Sequence, residues 1–432
     1  MTRVIIASVP IYGHVTPLRQ IAADLVNRGD DVTFLTGQLF RESVESTGAR
    51  FVALPPEADF DLAKFPELYP EYAAMEPIER FRFEVRTMFV KPLAAQYAGL
   101  QALLAEAGGE PVAVLNDNTF LGAMPVLLGA PGIRPDAVIG LGVTPLALSS
   151  IDIAPFGLGL PPDASPEGRE RNRQANLAAE GMLAAPQQEA AEVMRNLGAT
   201  QEPPFLMSAE SLLPDLFLQL SVESLEYPRS DAPTTLRYVG GLPDAPRSEE
   251  QSLPAWWPEV AAAKRVVVVS QGTAANRDFS ELIEPTLEAL ADLDVMVIAT
   301  LGRDAQISSV PANARVAEFI PFADLMPHTD VLVSNGGYGG VQSALRNGVP
   351  LVLAGLTEDK AELTARTAWT GAAINLATQR PTPAQVRKAV EQVLAEPIYK
   401  KKAVQLSAEY ARHDTLDEIS SAIREALANR NR

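Results

Sequence analysis

His14 and a few acids and glycines at strand ends carry most of the chemistry open to this sequence. His14 lies in Pro10-Ile11-Tyr12-Gly13-His14-Val15-Thr16-Pro17, directly after the apolar run 3–9. Imidazole is the one unperturbed side chain that exchanges protons near neutral pH. At the end of a parallel strand it would act as a general base, or it would cap the helix that follows. Asp117 follows the run Val112-Ala113-Val114-Leu115-Asn116. Its carboxylate would hold that imidazole across a shared crevice, or cap the next helix. The chain has no cysteine, which excludes thiol catalysis, disulfides and iron–sulfur clusters. Its three histidines, His14, His328 and His413, are too far apart in sequence for a zinc motif.

Anion chemistry is suggested in the second half. Ser334-Asn335-Gly336-Gly337-Tyr338-Gly339-Gly340-Val341 sets four glycines around a predicted helix start. Unbonded N–H groups and the helix dipole favour a diphosphate there. Ser270-Gln271-Gly272-Thr273, after a run of valines, adds hydroxyls and a glycine that lets backbone approach a phosphate. Gly355-Leu356-Thr357-Glu358-Asp359-Lys360 ends a further strand and would reach sugar hydroxyls, with helix capping by Thr357 as the plainer role. The first loop lacks G-x-G-x-x-G, which counts against NAD or FAD at that site.

These loops need strands to hold them. Apolar runs predict strands at 3–9, 31–36, 50–54, 112–116 and 137–143, with helices between them, the first at 17–28. The alternation restarts with strands at 265–270, 294–300, 315–319, 331–334 and 350–354, and helices at 278–291, 339–347 and 358–370. The fold class is therefore α/β: two Rossmann-like, doubly wound parallel-sheet domains facing a cleft. The expected divisions are a domain over 1–243, a Pro-rich and charged linker over 244–263, a second domain over 264–400 and a helical tail over 401–432. Two Pro-rich insertions, 55–75 and 144–212, break the rhythm as lids or binding loops do. The triplet Asp59-Phe60-Asp61 falls in the first and reads as surface rather than metal site.

Composition narrows the class of partner. The chain has 432 residues, 47% hydrophobic and 21% charged, with 54 acidic residues against 36 basic ones and a net charge of -18. Phosphate backbones and anionic lipid repel such a surface, so nucleic-acid binding and electrostatic membrane docking are set aside. No apolar run reaches the ~18 residues of a membrane helix, no targeting segment is visible, and the cytoplasm is the default location.

The segments Gly13-His14-Val15-Thr16-Pro17-Leu18, Ser270-Gln271-Gly272-Thr273, Phe319-Ile320-Pro321-Phe322, 335–345 and 348–360 stand in an order and spacing that resembles family-1 glycosyltransferases of the GT-B fold. The chain is similar to bacterial natural-product and macrolide glycosyltransferases, and is related to plant secondary-metabolite UDP-glycosyltransferases. The resemblance implies that His14 is the general base and Asp117 its partner. It implies donor contacts at Gly13, Ser270, Gly272, Thr273, Ile320 (backbone), Phe322, Asn335, Gly336, Gly337, Gly339, Gly340, Val341, Ser343, Asp359 and Lys360. It implies no metal and no cofactor beyond a nucleotide-sugar co-substrate, a UDP- or dTDP-hexose. The expected reaction is inverting transfer to a hydroxyl of a small hydrophobic acceptor, with a donor-binding second domain and an acceptor-binding first one.

Four positions depart from the family pattern. Asn335 replaces a histidine, Gly340 a Ser or Thr, Ser343 a ribose-binding Glu, and Lys360 a Gln. Ser343 is too short to clamp two ribose hydroxyls, which leaves room for a deoxyribose donor. These departures keep two alternatives open, a non-catalytic GT-B partner and a nucleotide-sugar epimerase. The identity of sugar and acceptor, and the choice of monomer or homodimer, are not encoded in these motifs.

Overall fold

A computed structural model of the chain describes residues 1–245, 247, 252–272, 276, 278–302, 307 and 309–430. The first sheet holds β1 (Arg3–Ala7), β2 (Asp31–Thr36), β3 (Arg50–Ala53), β4 (Val112–Asp117), β5 (Ala137–Gly142), β6 (Leu216–Gln219) and β7 (Leu236–Tyr238), in the order β3-β2-β1-β4-β5-β6-β7. The second holds β8 (Val266–Ser270), β9 (Met296–Thr300), β10 (Ala314–Ala317), β11 (Val331–Ser334), β12 (Leu351–Leu353) and β13 (Ala373–Asn375), in the order β10-β9-β8-β11-β12-β13. All neighbouring strands run parallel. In each sheet the order reverses beside the first strand of that half, which opens a crevice at the strands' carboxyl ends.

The unbroken apolar runs follow from burial on both faces. Val4, Ile6, Ala113 and Leu115 pack on one face with Leu18, Ile21 and Leu25 of the helix Tyr12–Asn27. Ile5, Ala7, Val112 and Val114 pack on the other with Leu100, Leu103 and Leu104 of the helix Leu93–Glu106. In the second sheet, Val266 and Val268 join one core while Val267 and Val269 join the opposite one.

Three strands went unpredicted. β6, β7 and β13 have four, three and three residues, too few to show a period. The first helix begins at Tyr12 rather than 17. It takes in His14, and Pro17 costs it one N–H bond, that to the Gly13 carbonyl. The segment carrying Phe81, Phe83, Met88 and Phe89 is an α-helix, Pro77–Glu84, followed by a π-helical turn, Val85–Val90. The chain closes on three helices, Pro383–Ala395, Pro397–Tyr410 and Thr415–Arg430, of which the expected tail takes in most of the second and all of the third. The last of them returns to the first sheet, where Ile419, Ala422, Ile423 and Ala426 join the core of Val4 and Leu115.

Polar contacts join the two halves. Gln219 at the end of β6 donates to the Tyr338 hydroxyl at 2.8 Å, and that hydroxyl donates to the Leu220 carbonyl at 3.3 Å. Arg366, 1% exposed at its side chain, pairs with Glu226 of the first half and with Glu362 at 2.9 Å. Its Nη2 also donates to the Leu146 carbonyl at 2.9 Å. Arg229 is equally buried and donates to the carbonyls of Leu146 and Leu148. Two guanidiniums and two carboxylates thus balance. Removing one member of such a buried set costs about 3–5 kcal/mol, because its partner is left charged and unpaired.

Candidate active site

The carboxyl ends of β1 and β4 lie side by side, with Ala7 opposite Asn116. That register brings the residues just after β1 against Asp117. Asp117 is fully buried and accepts five hydrogen bonds. Its Oδ2 takes the Ser8 hydroxyl at 2.8 Å and the Val9 N–H at 2.9 Å. Its Oδ1 takes the Thr119 N–H at 2.7 Å, the Thr119 hydroxyl at 2.6 Å and His14 Nδ1 at 3.2 Å. Burial pushes this carboxyl up, but the His14 charge and the bonds from His14, Thr119 and Ser8 outweigh it, so it titrates below its ordinary range. Asp117 faces His14 and closes a local turn through the Thr119 N–H, but it does not cap the next helix, Leu121–Ala123, whose N-cap is Phe120.

His14 sits in the first turn of its helix and is 8% exposed. Its Nδ1 lies 3.2 Å from both Asp117 Oδ1 and Thr119 Oγ1. An Nδ1–H shared between those oxygens leaves Nε2 as the lone-pair nitrogen. No protein group among the described residues takes Nε2.

The glycine-rich turn lies across the molecule at the end of β11. Gly337 is the N-cap of the helix Tyr338–Arg346. The first bond of that helix runs from Val341 N–H to the Gly337 carbonyl at 3.0 Å. The N–H groups left open are therefore those of Gly337, Tyr338, Gly339 and Gly340, a helix start of the kind that can cradle an anion. Val341, expected among the donor contacts, has its N–H committed to the helix and its side chain fully buried. Ser343 is also buried, with a hydroxyl that has no partner. Asn335 ties the two glycine turns together, its Nδ2 donating to the Gln271 carbonyl at 2.7 Å. Gly336 has φ +86°, and a β-carbon there would meet Thr364 Cγ2 at 2.6 Å, so only glycine fits.

The remaining predicted residues divide by burial. Ser270 is buried and accepts the Gly272 N–H at 3.2 Å, and Gly272 adopts φ +72°. Thr273 lies outside the described residues. Ile320 is 1% exposed and packs in the second core, which leaves its backbone as its only reach toward a ligand. Phe322 opens a short helix beside the cradle, with its ring 3.6 Å from where a β-carbon on Gly340 would stand. Gly13 is exposed next to His14. Asp59 and Asp61 hold loop N–H groups, of Gln38 and Ala63 respectively.

Asp359 and Lys360 begin the helix Lys360–Trp369 after β12. Burial raises the Asp359 carboxyl, Lys360 opposes this, Glu358 adds to it, and the His14 charge also opposes it. Lys360 is buried and its ammonium pairs with Glu358, which adopts φ +58°.

Sequence reasoning missed several partners. Ser8 and Thr119 are two of them, although a Thr two residues after an Asp is itself a turn signal. It also missed Asn116, whose Nδ2 donates to the buried Glu210 at 2.6 Å, and the Arg366 network. Nothing in the local sequence pairs residues 94 or 140 positions apart.

Comparison with known proteins agrees with this fold. Residues 284–426 match the family described as Erythromycin biosynthesis protein CIII-like, C-terminal domain. The chain is 49% identical to UDP-glycosyltransferase 2 of Phaeomoniella chlamydospora, over 98% of this chain and 96% of that one. It is 38% identical to 4'-demethylrebeccamycin synthase of Lentzea aerocolonigenes, over 96% and 97%. The glycotransferase of kitacinnamycin has a similar structure, with a TM-score of 0.72 at 21% identity, covering 99% of this chain and 100% of that one. The spinosyn rhamnosyltransferase complexed with thymidine diphosphate is similar at a TM-score of 0.65 and 18% identity, over 98% and 100%. Among the described residues no helix is long and apolar enough to cross a membrane.

Proposed function

Because the chain belongs to the family-1 GT-B glycosyltransferases, and as such moves a sugar from a nucleotide-sugar donor, we propose that it does so with inversion, onto a hydroxyl of a small hydrophobic acceptor, with His14 as the base. The carrying observation is the His14–Asp117 pair, which holds Nδ1 and leaves Nε2 unpartnered. A neutral hydroxyl attacking an anomeric carbon becomes cationic unless its proton leaves. Nε2 takes that proton, and Asp117 steadies the imidazolium. The nucleoside diphosphate leaves against the N–H groups of Tyr338, Gly339 and Gly340, whose partial positive charge favours the growing negative charge without a metal. Asp359 and Lys360 contact the transferred hexose.

The donor is a UDP- or dTDP-hexose. UDP is in the name of the 49% identical relative, and thymidine diphosphate is the ligand of the spinosyn enzyme. The first half, 1–243, holds the acceptor, and 264–400 the donor. Two features of the first half support the acceptor side. Phe65, Tyr69, Tyr72 and Phe83 form a cluster of tilted and edge-to-face rings in its first insertion and the helix after it. The loop 144–165 reaches the donor-side helix at Gly157 and Gly159.

The test offers UDP-glucose and dTDP-glucose to the full chain in EDTA. The acceptors are 7-hydroxycoumarin, a flavonol and a long-chain alcohol, and the readouts are released nucleoside diphosphate and the anomeric configuration of the product. Acceptor-dependent release with inverted configuration supports the proposal. A retained configuration or a strict divalent-ion requirement sinks it.

A further inference from the structure

Glu362 touches neither the glycine cradle nor His14, yet its carboxylate is fully engaged. Oε1 takes Arg366 Nε at 3.0 Å and Nη2 at 2.9 Å. Oε2 takes the backbone N–H groups of Gly157 at 2.9 Å and Gly159 at 3.1 Å, more than two hundred residues away in the first half. The start of the same loop is gripped as well. Leu146 N–H donates to Glu226 Oε1 at 3.1 Å, and its carbonyl accepts from Arg366 and Arg229. Between these points the Phe156 ring lies 5.7 Å from the Arg366 guanidinium carbon.

The fit at the far end is tight. Gly159 has φ +60°, and a β-carbon there would stand 2.9 Å from the Ala361 carbonyl oxygen and 3.2 Å from Ala365 Cβ. The loop backbone is therefore laid directly on the helix Lys360–Trp369, one turn from its Asp359–Lys360 start.

We propose that Glu362 is a positioning residue: from the donor half it tethers the acceptor loop through the Gly157 and Gly159 N–H groups, and so sets acceptor affinity without contacting the acceptor. The proposal rests on reading 144–165 as the acceptor loop. Its consequence is that acceptor binding is partly specified by the donor half, through an element whose first residues hold the sugar.

Glu362→Gln tests it at constant volume. A carboxamide has one oxygen. If that oxygen faces Arg366, its NH2 group faces two N–H donors and the loop is released. The reverse placement would set NH2 against a buried guanidinium, so the first prevails. Gly159→Ala releases the loop from the opposite side. Amide hydrogen exchange across 155–160, acceptor KM, kcat and UDP affinity are measured on the full chain with the best acceptor of the panel above. Two lost hydrogen bonds should speed exchange at Gly157 and Gly159, and raise acceptor KM, by about tenfold or more. The kcat at saturating acceptor and the affinity for UDP should stay within about threefold of wild type, a difference of less than one hydrogen bond.

Unchanged exchange in both variants overturns the tether and leaves the acceptor reading standing. Faster exchange with unchanged acceptor KM overturns the acceptor reading of the loop, and the inference with it. UDP affinity falling in step with acceptor KM also overturns it, since Glu362 would then only support the donor helix.

Discussion

His14 Nδ1 and Asp117 Oδ1 stand 3.2 Å apart, on the helix after β1 and at the end of β4, though 103 residues separate them in sequence. The pairing needs adjacent parallel strands in one register, and β1 and β4 supply it. It turns two residues that each had a plain local role into a pair that fixes the imidazole tautomer, as the proposed base requires.

Replacing His14 by alanine should lower turnover of an aliphatic alcohol acceptor by at least ~10²-fold, the typical contribution of a positioned base. Binding of UDP, measured by calorimetry, should stay near wild type, because the helix start proposed to hold the diphosphate belongs to the other half. An acidic phenol, which ionises by itself, should recover part of the loss. Full turnover of the aliphatic alcohol by the variant would refute the mechanism.

Asp117→Asn meets two backbone demands at once, from the Val9 N–H at 2.9 Å and the Thr119 N–H at 2.7 Å. One amide oxygen serves only one of them. The stability loss should be about 1–3 kcal/mol by denaturant titration near neutral pH. An NH2 group turned toward His14 would also favour the wrong tautomer, so turnover should fall along with stability. The sign of the pH dependence follows from the lowered native value of Asp117. Its contribution is complete above the ordinary carboxyl range and is lost as pH falls through the lowered value. The gap between wild type and variant should therefore persist down to about pH 5 and close only below about pH 4.

Gly336 and Gly339 should respond to alanine in opposite ways. At Gly336, φ +86° and the Thr364 methyl at 2.6 Å make a side chain costly, by about 1–3 kcal/mol of stability. At Gly339, within the helix and with nothing within 4 Å of a β-carbon, alanine should leave stability unchanged or raise it by roughly 0.5–1 kcal/mol. Nucleotide affinity should nonetheless fall in Gly339→Ala if diphosphate sits on that N–H. Thermal melting and UDP titration on both variants separate the two roles, and an unaltered UDP affinity in Gly339→Ala would move the cradle elsewhere.

Glu210 is a buried acid with one oxygen unpartnered. Burial raises its carboxyl well above the ordinary value, the Asp117 charge adds to this, and the bond from Asn116 opposes it. An acid raised in the native state loses stability as pH climbs from its unfolded value toward its native one, because the unfolded chain ionises first. Glu210→Gln removes that liability. Its stability relative to wild type should grow with pH above the ordinary carboxyl range, by up to about 1.4 kcal/mol per unit. Denaturation at pH 5 and pH 8 reads the difference, and an equal offset at both values would show that Glu210 is ionised in the native protein.

Much of this molecule is written locally. Five-residue valine and isoleucine runs, the glycines at helix starts and the prolines at breaks specify two parallel sheets and their loop positions, because burial on both faces admits only such runs. The proposed sites at His14, Asp117 and the glycine-rich turn are legible for the same reason: ligands of doubly wound sheets collect at strand ends. Tertiary structure decided what those residues do to one another. The short strands β6, β7 and β13 exist only because a sheet edge was there to pair with. Val341 proved committed through its N–H to its own helix, which leaves the open N–H groups at 337–340. Arg366, Glu362 and Glu226 look like ordinary surface charges along the chain. They became a buried, balanced set because two domains closed over them, and a charge taken from water must find its counterion nearby in space, whatever the distance along the chain.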